Sequence, residues 1–132
     1  MKIAVVAITR HGIALAGKVA AALPGAQLFA PEKFRAEAEA ASSTAACYAG
    51  KTGDQIPALF EAFDGIVAVV SLGAVVRLIA PHLKSKDVDP AVVVLDEGGK
   101  FAIPILSGHL GGANALAGHL ATAIGAQAVL TT

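Results

Sequence analysis

The sequence has no tryptophan and only one cysteine, and it is poor in aromatic and charged residues. Over 132 residues, aromatic side chains make up 5% and charged side chains 15%. The lone Cys47 excludes an internal disulfide framework and a metal site built from several thiolates. Lysine plus arginine and aspartate plus glutamate number ten each. This balance argues against nucleic acid as a partner, because phosphate binding needs a basic surplus.

Long apolar runs are also missing. Residues 101–132 contain no Asp, Glu, Lys or Arg, yet Pro104, His109, Asn114, His119 and Gln127 are among the residues that interrupt them. No stretch is long enough for a membrane span, and the amino end has no signal-peptide pattern. We therefore expect no membrane partner and a cytoplasmic location.

What is present is a high apolar content of 55%, rich in alanine, which predicts one folded domain over residues 1–132 with a core of small side chains. The expected strands and helices alternate, which predicts an α/β, three-layer sandwich with a largely parallel sheet and one antiparallel hairpin. Residues 31–46 are rich in Ala and Glu and predict a helix only weakly. The predicted strands are residues 2–8, 27–30, 66–70, 91–95, 101–106 and 127–130, and the predicted helices are 13–23, 52–63, 74–83 and 113–124.

Three polar clusters follow predicted strands, at residues 9–12, 71–77 and 107–114. Parallel strands end at the same edge of a sheet, and ligands of such sheets bind beyond that edge. We therefore predict that the three clusters share one cleft. For the last cluster this requires residues 101–106, and not 91–95, to be the parallel member of the hairpin.

The third cluster contains the groups best suited to catalysis or anion binding. His109 can transfer a proton near neutral pH, and the neighbouring glycines can bring backbone N–H groups close to an anion. The same glycines also fit a simple tight turn. Arg77 could bind a carboxylate or could be an ordinary solvated helix residue. The four histidines show no metal-ligand spacing, so we expect no metal.

Three segments together closely resemble a known enzyme family. They are GAVVRLIAP from Gly73, KDVDPAVVV from Lys86 and LSGHLGGANALA from Leu106. In this order they resemble the N-terminal region of cobalt-precorrin-5A hydrolase, the cobalamin biosynthesis protein G. The resemblance extends over nearly the whole chain and is strongest from Gly65 onward.

The resemblance implies a role in the anaerobic route to vitamin B12. The family opens the δ-lactone of cobalt-precorrin-5A and releases acetaldehyde, giving cobalt-precorrin-5B. The cobalt-containing tetrapyrrole brings its own metal, so no further cofactor is implied. The family continues into a C-terminal domain, which would be a partner of this one. A homodimer is an open possibility.

Together with the predicted cleft, this resemblance gives a set of candidate site residues. His109 would be the catalytic acid or base, and the N–H groups of Gly111 and Gly112 would stabilise the developing oxyanion. The complete set of substrate-binding candidates is Thr9, Arg10, His11, Ser71, Gly73, Arg77, Ser107, Gly108, Gly111, Gly112 and Asn114.

Two other interpretations stay open at this point. Arg10, His11 and Gly12 after the first strand look like the phosphate-accepting motif of histidine phosphatases, with His109 as the second histidine. Alternatively, the domain binds or assembles around a tetrapyrrole without catalysing a reaction.

Overall fold

The centre of the molecule is formed by strands that are apolar along their whole length. In the computed structural model, which describes residues 1–132, β1 (Ile3–Ala7), β4 (Gly65–Val69) and β5 (Ala91–Leu95) are buried at every position. Such continuous apolar runs are typical of parallel strands covered on both faces. The three strands pair side by side and parallel, with β4 between β1 and β5.

Four more strands complete a seven-stranded sheet of order β3-β2-β1-β4-β5-β6-β7. Strands β2 (Gln27–Pro31) and β3 (Ala46–Tyr48) continue the parallel part beyond β1. Strand β6 (Phe101–Leu106) is antiparallel to β5, and β7 (Gln127–Ala128) is parallel to β6. The predicted largely parallel sheet with one antiparallel hairpin is confirmed, whereas β3 was not predicted.

Helices cover both faces of this sheet, which confirms the three-layer sandwich. One face packs against α1 (Arg10–Ala22), α2 (Arg35–Ala41) and α5 (Ala113–Ile124). The other packs against α3 (Ile56–Ala62) and α4 (Leu72–Ile79). Short 3₁₀ helices lie at Glu32–Phe34, Thr52–Gln55 and Ala80–His82. None of the helices is long and apolar enough to cross a membrane.

The direction of the hairpin differs from what the predicted cleft required. Strand β5 is the parallel member, and β6 runs back against it, with Leu106 paired to Val92 and Ala102 paired to Leu95. The physical reason is that β5 already pairs parallel with β4, so a strand joined to β5 by a short turn must run the opposite way. Residues 107–112 therefore lie at the amino edge of the parallel strands.

The position of Met1 supports this assignment. A Cβ atom added at Gly112 would lie 2.9 Å from Cε of Met1, the residue just before β1. Residues 9–12 leave β1 at its other end. Five strand residues at roughly 3.3 Å each put about 15 Å between the two edges. The prediction that residues 9–12, 71–77 and 107–114 share one cleft is wrong.

Candidate functional site

Thr9 is the first polar residue at the carboxyl edge of the parallel strands. Its hydroxyl accepts a 3.0 Å hydrogen bond from the N–H of Gly12, which caps α1. The same hydroxyl donates a 2.6 Å hydrogen bond to Glu97 in the turn between β5 and β6. The strand order reverses beside β1, so this edge has the crevice at which ligands of open parallel sheets bind. Here the side chain of Thr9 is engaged within the protein.

Arg10 and His11 begin α1 at the same edge. The Nε of Arg10 lies 2.9 Å from a carboxylate oxygen of Glu37, and its guanidinium lies 5.8 Å from the centre of the Phe34 ring. The Arg10 side chain remains 75% exposed. His11 is exposed as well. Arg10 already has an anionic partner, so a substrate carboxylate at this point would compete with Glu37.

Ser71, Gly73 and Arg77 belong to the start and body of α4. Ser71 precedes the helix without capping it through its side chain, and a Cβ at Gly73 would meet no atom within 4 Å. Arg77 is exposed and forms no ion pair within the chain. Of the two arginines predicted to bind substrate, Arg10 is paired with Glu37 and Arg77 is unpaired.

The loop after β6 has an unusual backbone conformation at Ser107. Its φ of 56° lies in the left-handed region, which only a few per cent of non-glycine residues adopt. The Ser107 hydroxyl donates a 3.0 Å hydrogen bond to the carbonyl of Asp89, just before β5. The Ser107 carbonyl accepts from the N–H of Ala113, the first residue of α5. These bonds fix the loop at both ends.

The glycines of this loop are required by close approach and by backbone conformation. A Cβ at Gly111 would lie 2.5 Å from Cβ of Ser107 and 2.8 Å from its carbonyl oxygen. Gly112 has a φ of 86°, which favours glycine. At Gly108 the added atom would lie 2.9 Å from Oδ1 of Asn114. These glycines therefore form the tight turn that the sequence pattern also allowed.

Several backbone N–H groups of this loop have no partner in the chain. The N–H of Gly112 donates to the carbonyl of His109 at 3.3 Å, and that of Asn114 donates to Gly108 at 3.0 Å. The N–H groups of Gly108, His109, Leu110 and Gly111 make no hydrogen bond to another group of the chain. Of the two predicted oxyanion donors, Gly111 is available and Gly112 is engaged.

His109 is exposed and contacts a residue that the sequence analysis did not consider. Its Nε2 lies 3.0 Å from the hydroxyl oxygen of Thr132, and the side-chain N–H of Asn114 donates to the same oxygen at 3.3 Å. The three side chains come together because β7 runs parallel to β6 and returns the chain to the loop. Thr132 is outside every polar motif, so no local signal in the sequence singled it out.

A buried carboxylate lies beside this loop. Asp89 is 9% exposed, and both of its carboxylate oxygens accept from the N–H of Lys84 at 3.1 Å. Asp89 and Lys84 line an open groove of about 670 Å³ together with His82 and Pro90. The groove and the loop are therefore joined through the hydrogen bond from Ser107 to Asp89.

A second groove lies at the carboxyl edge of β2 and β3. It has a volume of about 710 Å³ and is lined by Lys33, Tyr48, Lys51 and Thr52 among others. The Tyr48 phenol lies 2.6 Å from the Thr52 hydroxyl. Partial burial raises the pKa of Tyr48, and the hydrogen bond with Thr52 opposes this rise. Because β3 was not predicted, sequence analysis missed this pair.

The structure thus divides the predicted site residues between two edges of the sheet. Thr9, Arg10, His11 and Ser71 lie at the carboxyl edge with Gly73, and Ser107, Gly108, His109, Gly111, Gly112 and Asn114 lie at the amino edge. His11 and His109 are at opposite edges, so they cannot form the paired site of a histidine phosphatase. That alternative is wrong. No group of three or more His, Cys, Asp or Glu side chains converges in the chain.

Comparison with known proteins assigns the chain to a family. The family model described as "Cobalamin synthesis G N-terminal" matches residues 54–132, which include α4, the hairpin and the whole His109 loop. The chain belongs to this family. The resemblance seen in the sequence is confirmed, and the matched residues contain all three segments on which it was based.

Two curated relatives extend the similarity over the whole chain. The cobalt-precorrin-5A hydrolase of Priestia megaterium is 42% identical over 129 residues, which are 98% of this chain and 34% of the relative. The cobalt-precorrin-5A hydrolase of Salmonella typhimurium is 39% identical over 130 residues, covering 98% of this chain and 35% of the relative. The chain spans about a third of the length of these family members.

A solved structure shows the same fold. The crystal structure of a cobalamin biosynthesis protein G homologue from Sulfolobus solfataricus matches with a TM-score of 0.71. The match covers 98% of this chain and 36% of that chain, at 24% sequence identity. At this identity the likeness supports the architecture of the family domain and carries no assignment of individual residues.

Proposed function

We propose that this chain is part of a cobalt-precorrin-5A hydrolase of cobalamin biosynthesis. The observation that carries the proposal is the similarity to two enzymes of that name, at 42% and 39% identity over 98% of the chain. The reaction opens the δ-lactone of cobalt-precorrin-5A and releases acetaldehyde, leaving cobalt-precorrin-5B. Cobalt enters as part of the substrate, so the protein needs no cofactor of its own. We place the reaction in the cytoplasm, the compartment in which a free cysteine such as Cys47 stays reduced.

In this proposal the amino edge of the sheet contains the reacting groups. Lactone opening adds water to the ester carbonyl and breaks the ring C–O bond, so it needs proton transfer and donors for the oxyanion. Acetaldehyde release then breaks a carbon–carbon bond: the freed alcohol loses its proton, its oxygen becomes the aldehyde carbonyl, and the electron pair of the broken bond stays on the macrocycle. His109 supplies the proton transfer, and the unpaired N–H of Gly111 is the donor for the oxyanion. The exposure of His109 and the free N–H groups of its loop support this assignment.

The substrate carboxylates need cationic and polar partners. Ser107 and Gly108 belong to the loop of His109, and Asn114 lies beside it in the first turn of α5. Arg77, on α4 at the other face of the sheet from α5, offers an exposed guanidinium without an internal partner and would contact a carboxylate away from this loop. Thr9, Arg10, His11, Ser71 and Gly73 belong to the opposite edge. In the proposed function they form a separate contact region and take no part in the chemical step.

A chimera provides the most direct test of activity. This chain replaces the matching third of the Priestia megaterium hydrolase, and acetaldehyde release is measured with cobalt-precorrin-5A. We expect turnover by the chimera and a loss of about 10²- to 10⁴-fold on His109→Ala, the usual contribution of a general acid or base. The matched control is His119→Ala, an exposed histidine on α5 that is outside the site. Unchanged acetaldehyde release in His109→Ala would contradict the role of His109.

A second candidate is a tetrapyrrole-binding module that leaves catalysis to the rest of the protein. It is favoured by the chain spanning about a third of the related hydrolases. A cobalt corrinoid titrated into the isolated chain changes its visible spectrum if it binds. Binding without acetaldehyde release by the chain, but with release by the chimera, would favour the module.

A further inference from the structure

Thr132 connects two residues of the proposed site that are separated in sequence. Its hydroxyl oxygen lies 3.3 Å from Nδ2 of Asn114 and 3.0 Å from Nε2 of His109. Both distances are within hydrogen-bonding range, the second being close to the usual value. No other hydrogen bond in the chain involves the side chains of Asn114 or His109.

The chemistry of the three groups limits where the protons can lie. The amide NH₂ of Asn114 can only donate, so the Thr132 oxygen accepts from it. The Thr132 hydroxyl then has one hydrogen left to donate, and Nε2 of His109 is the acceptor within reach. A neutral imidazole has one donor and one acceptor nitrogen. The Thr132 oxygen has two lone pairs, so the 3.0 Å contact fits either direction. The direction that uses the hydroxyl hydrogen makes Nε2 the acceptor and leaves the proton of the neutral ring on Nδ1.

We propose that Thr132 is a positioning residue that holds His109 in the Nδ1–H tautomer. Held in this way, the His109 ring has a free Nδ1–H donor, because Nδ1 has no partner in the chain. The hydrogen-bond arrangement stands on the geometry alone. Its consequence for the reaction rests on the proposed function: Nδ1–H of the neutral ring would donate a hydrogen bond to the oxygen that develops charge when the lactone opens.

Asn114 has a defined part in this arrangement. It stands in the first turn of α5, and its backbone N–H is held by the carbonyl of Gly108. The Asn114 side chain is thus anchored on the helix, whereas Thr132 and His109 lie on the connections that follow β7 and β6. Asn114 fixes the orientation of the Thr132 hydroxyl, and Thr132 fixes the ring.

The test measures the tautomer directly by NMR. The intact 132-residue chain is labelled with ¹⁵N-histidine and observed at about pH 8.5, where an ordinary histidine with a pKa near 6.5 is neutral. His109→Gln identifies the His109 signals among the four histidines. We expect the proton on Nδ1 in the unaltered chain. Thr132→Val, of similar shape, should lose this preference, and Thr132→Ser should restore it.

An activity measurement on the chimera separates the two proposals. Thr132→Val should lower acetaldehyde release about tenfold, the effect of one neutral hydrogen bond, and Thr132→Ser should recover most of it. The same ¹⁵N signals in Thr132→Val and in the unaltered chain would overturn the positioning role, whatever the activity. If the tautomer depends on Thr132 but His109→Ala leaves acetaldehyde release by the chimera unchanged, the geometry is confirmed and the catalytic role of His109 is refuted.

Discussion

The hydroxyl of Thr9 donates a 2.6 Å hydrogen bond to Oε1 of Glu97, 88 residues further along the chain. The hydroxyl oxygen of Thr9 also accepts a hydrogen bond from the N–H of Gly12 and so caps α1. One threonine thereby joins the start of the first helix to the turn of the β5–β6 hairpin. The Glu97 carboxylate also lies at the positive end of the α1 dipole, where a negative charge is stabilising.

Replacing Thr9 should therefore destabilise the fold more than replacing Glu97. We expect Thr9→Ala to lower the free energy of unfolding by about 1 kcal/mol, the usual cost of losing an N-cap. Glu97→Gln should cost about 0.5 kcal/mol, since it removes the charge but leaves an acceptor. Urea denaturation measures both changes, with Thr9→Ser as the control that keeps the hydroxyl. Equal stability of Thr9→Ala and the unaltered chain would contradict the capping role.

Sequence patterns predicted those elements whose local periodicity and burial agree. The continuous apolar runs of β1, β4 and β5 predict strands because both faces of each are covered, whereas the parallel direction of β5 was not predicted. Helix α5 was predicted with its observed bounds, Ala113–Ile124, between glycines that break the pattern. In contrast, β3 is only three residues long and follows an Ala-rich helix, so its pairing with β2 is decided by tertiary contacts.

The candidate site was only partly predictable for a related reason. Local sequence indicates that residues 107–112 form a glycine-rich turn, but which sheet edge they occupy depends on the direction of β6. A hairpin looks the same in sequence whichever of its strands is the parallel member. The contacts from Ser107 to Asp89 and from His109 to Thr132 join distant segments through the sheet, so no local pattern reveals them.

Gly111 should tolerate no side chain. An added Cβ would lie 2.5 Å from Cβ of Ser107, so Gly111→Ala must displace the loop and lose the hydrogen bonds of Ser107. We expect a loss of about 2 kcal/mol in the free energy of unfolding, typical of overpacking. Gly118→Ala in α5 is the matched control, since a Cβ there meets no atom within 4 Å. That change should stabilise the helix by about 0.5–1 kcal/mol. A loss in Gly118→Ala as large as in Gly111→Ala would contradict the argument.

Gly17 should be equally intolerant, for a different reason. A Cβ at this position of α1 would lie 2.7 Å from the carbonyl oxygen and 2.9 Å from Cβ of Ala41, at the end of α2. Gly17→Ala should separate the two helices and lower the free energy of unfolding by about 1–3 kcal/mol. Thermal and urea denaturation measure the loss. Adding Ala41→Gly to Gly17→Ala should recover part of the lost free energy of unfolding, because it removes one of the two clashes. If the double variant shows no recovery, the contact with Ala41 is not the cause of the loss.

Arg77 should contribute to substrate binding through its charge. Its guanidinium is exposed, so a pair with a substrate carboxylate is worth at most about 1 kcal/mol, or roughly fivefold in Kd. We expect Arg77→Ala to weaken cobalt-corrinoid binding by this factor in a visible titration, and the effect should shrink as salt is added. Arg35→Ala is the control, because Arg35 pairs internally with Glu32 and Glu39. Equal effects of the two changes would indicate a general loss of positive charge instead of a contact by Arg77.

Tyr48 should titrate above the ordinary tyrosine pKa of about 10, because partial burial disfavours the phenolate. It is the only tyrosine and there is no tryptophan, so tyrosinate absorbance reports Tyr48 alone. A pKa raised by folding gives stability that is fully present below pH 10 and is lost as the pH rises through the folded-state value. The free energy of unfolding should therefore fall more steeply above pH 10 in the unaltered chain than in Tyr48→Phe. Thr52→Val removes the hydrogen bond that favours the phenolate, so the pKa of Tyr48 should rise further. A lower pKa in Thr52→Val would show that the hydroxyl of Thr52 accepts from the neutral phenol.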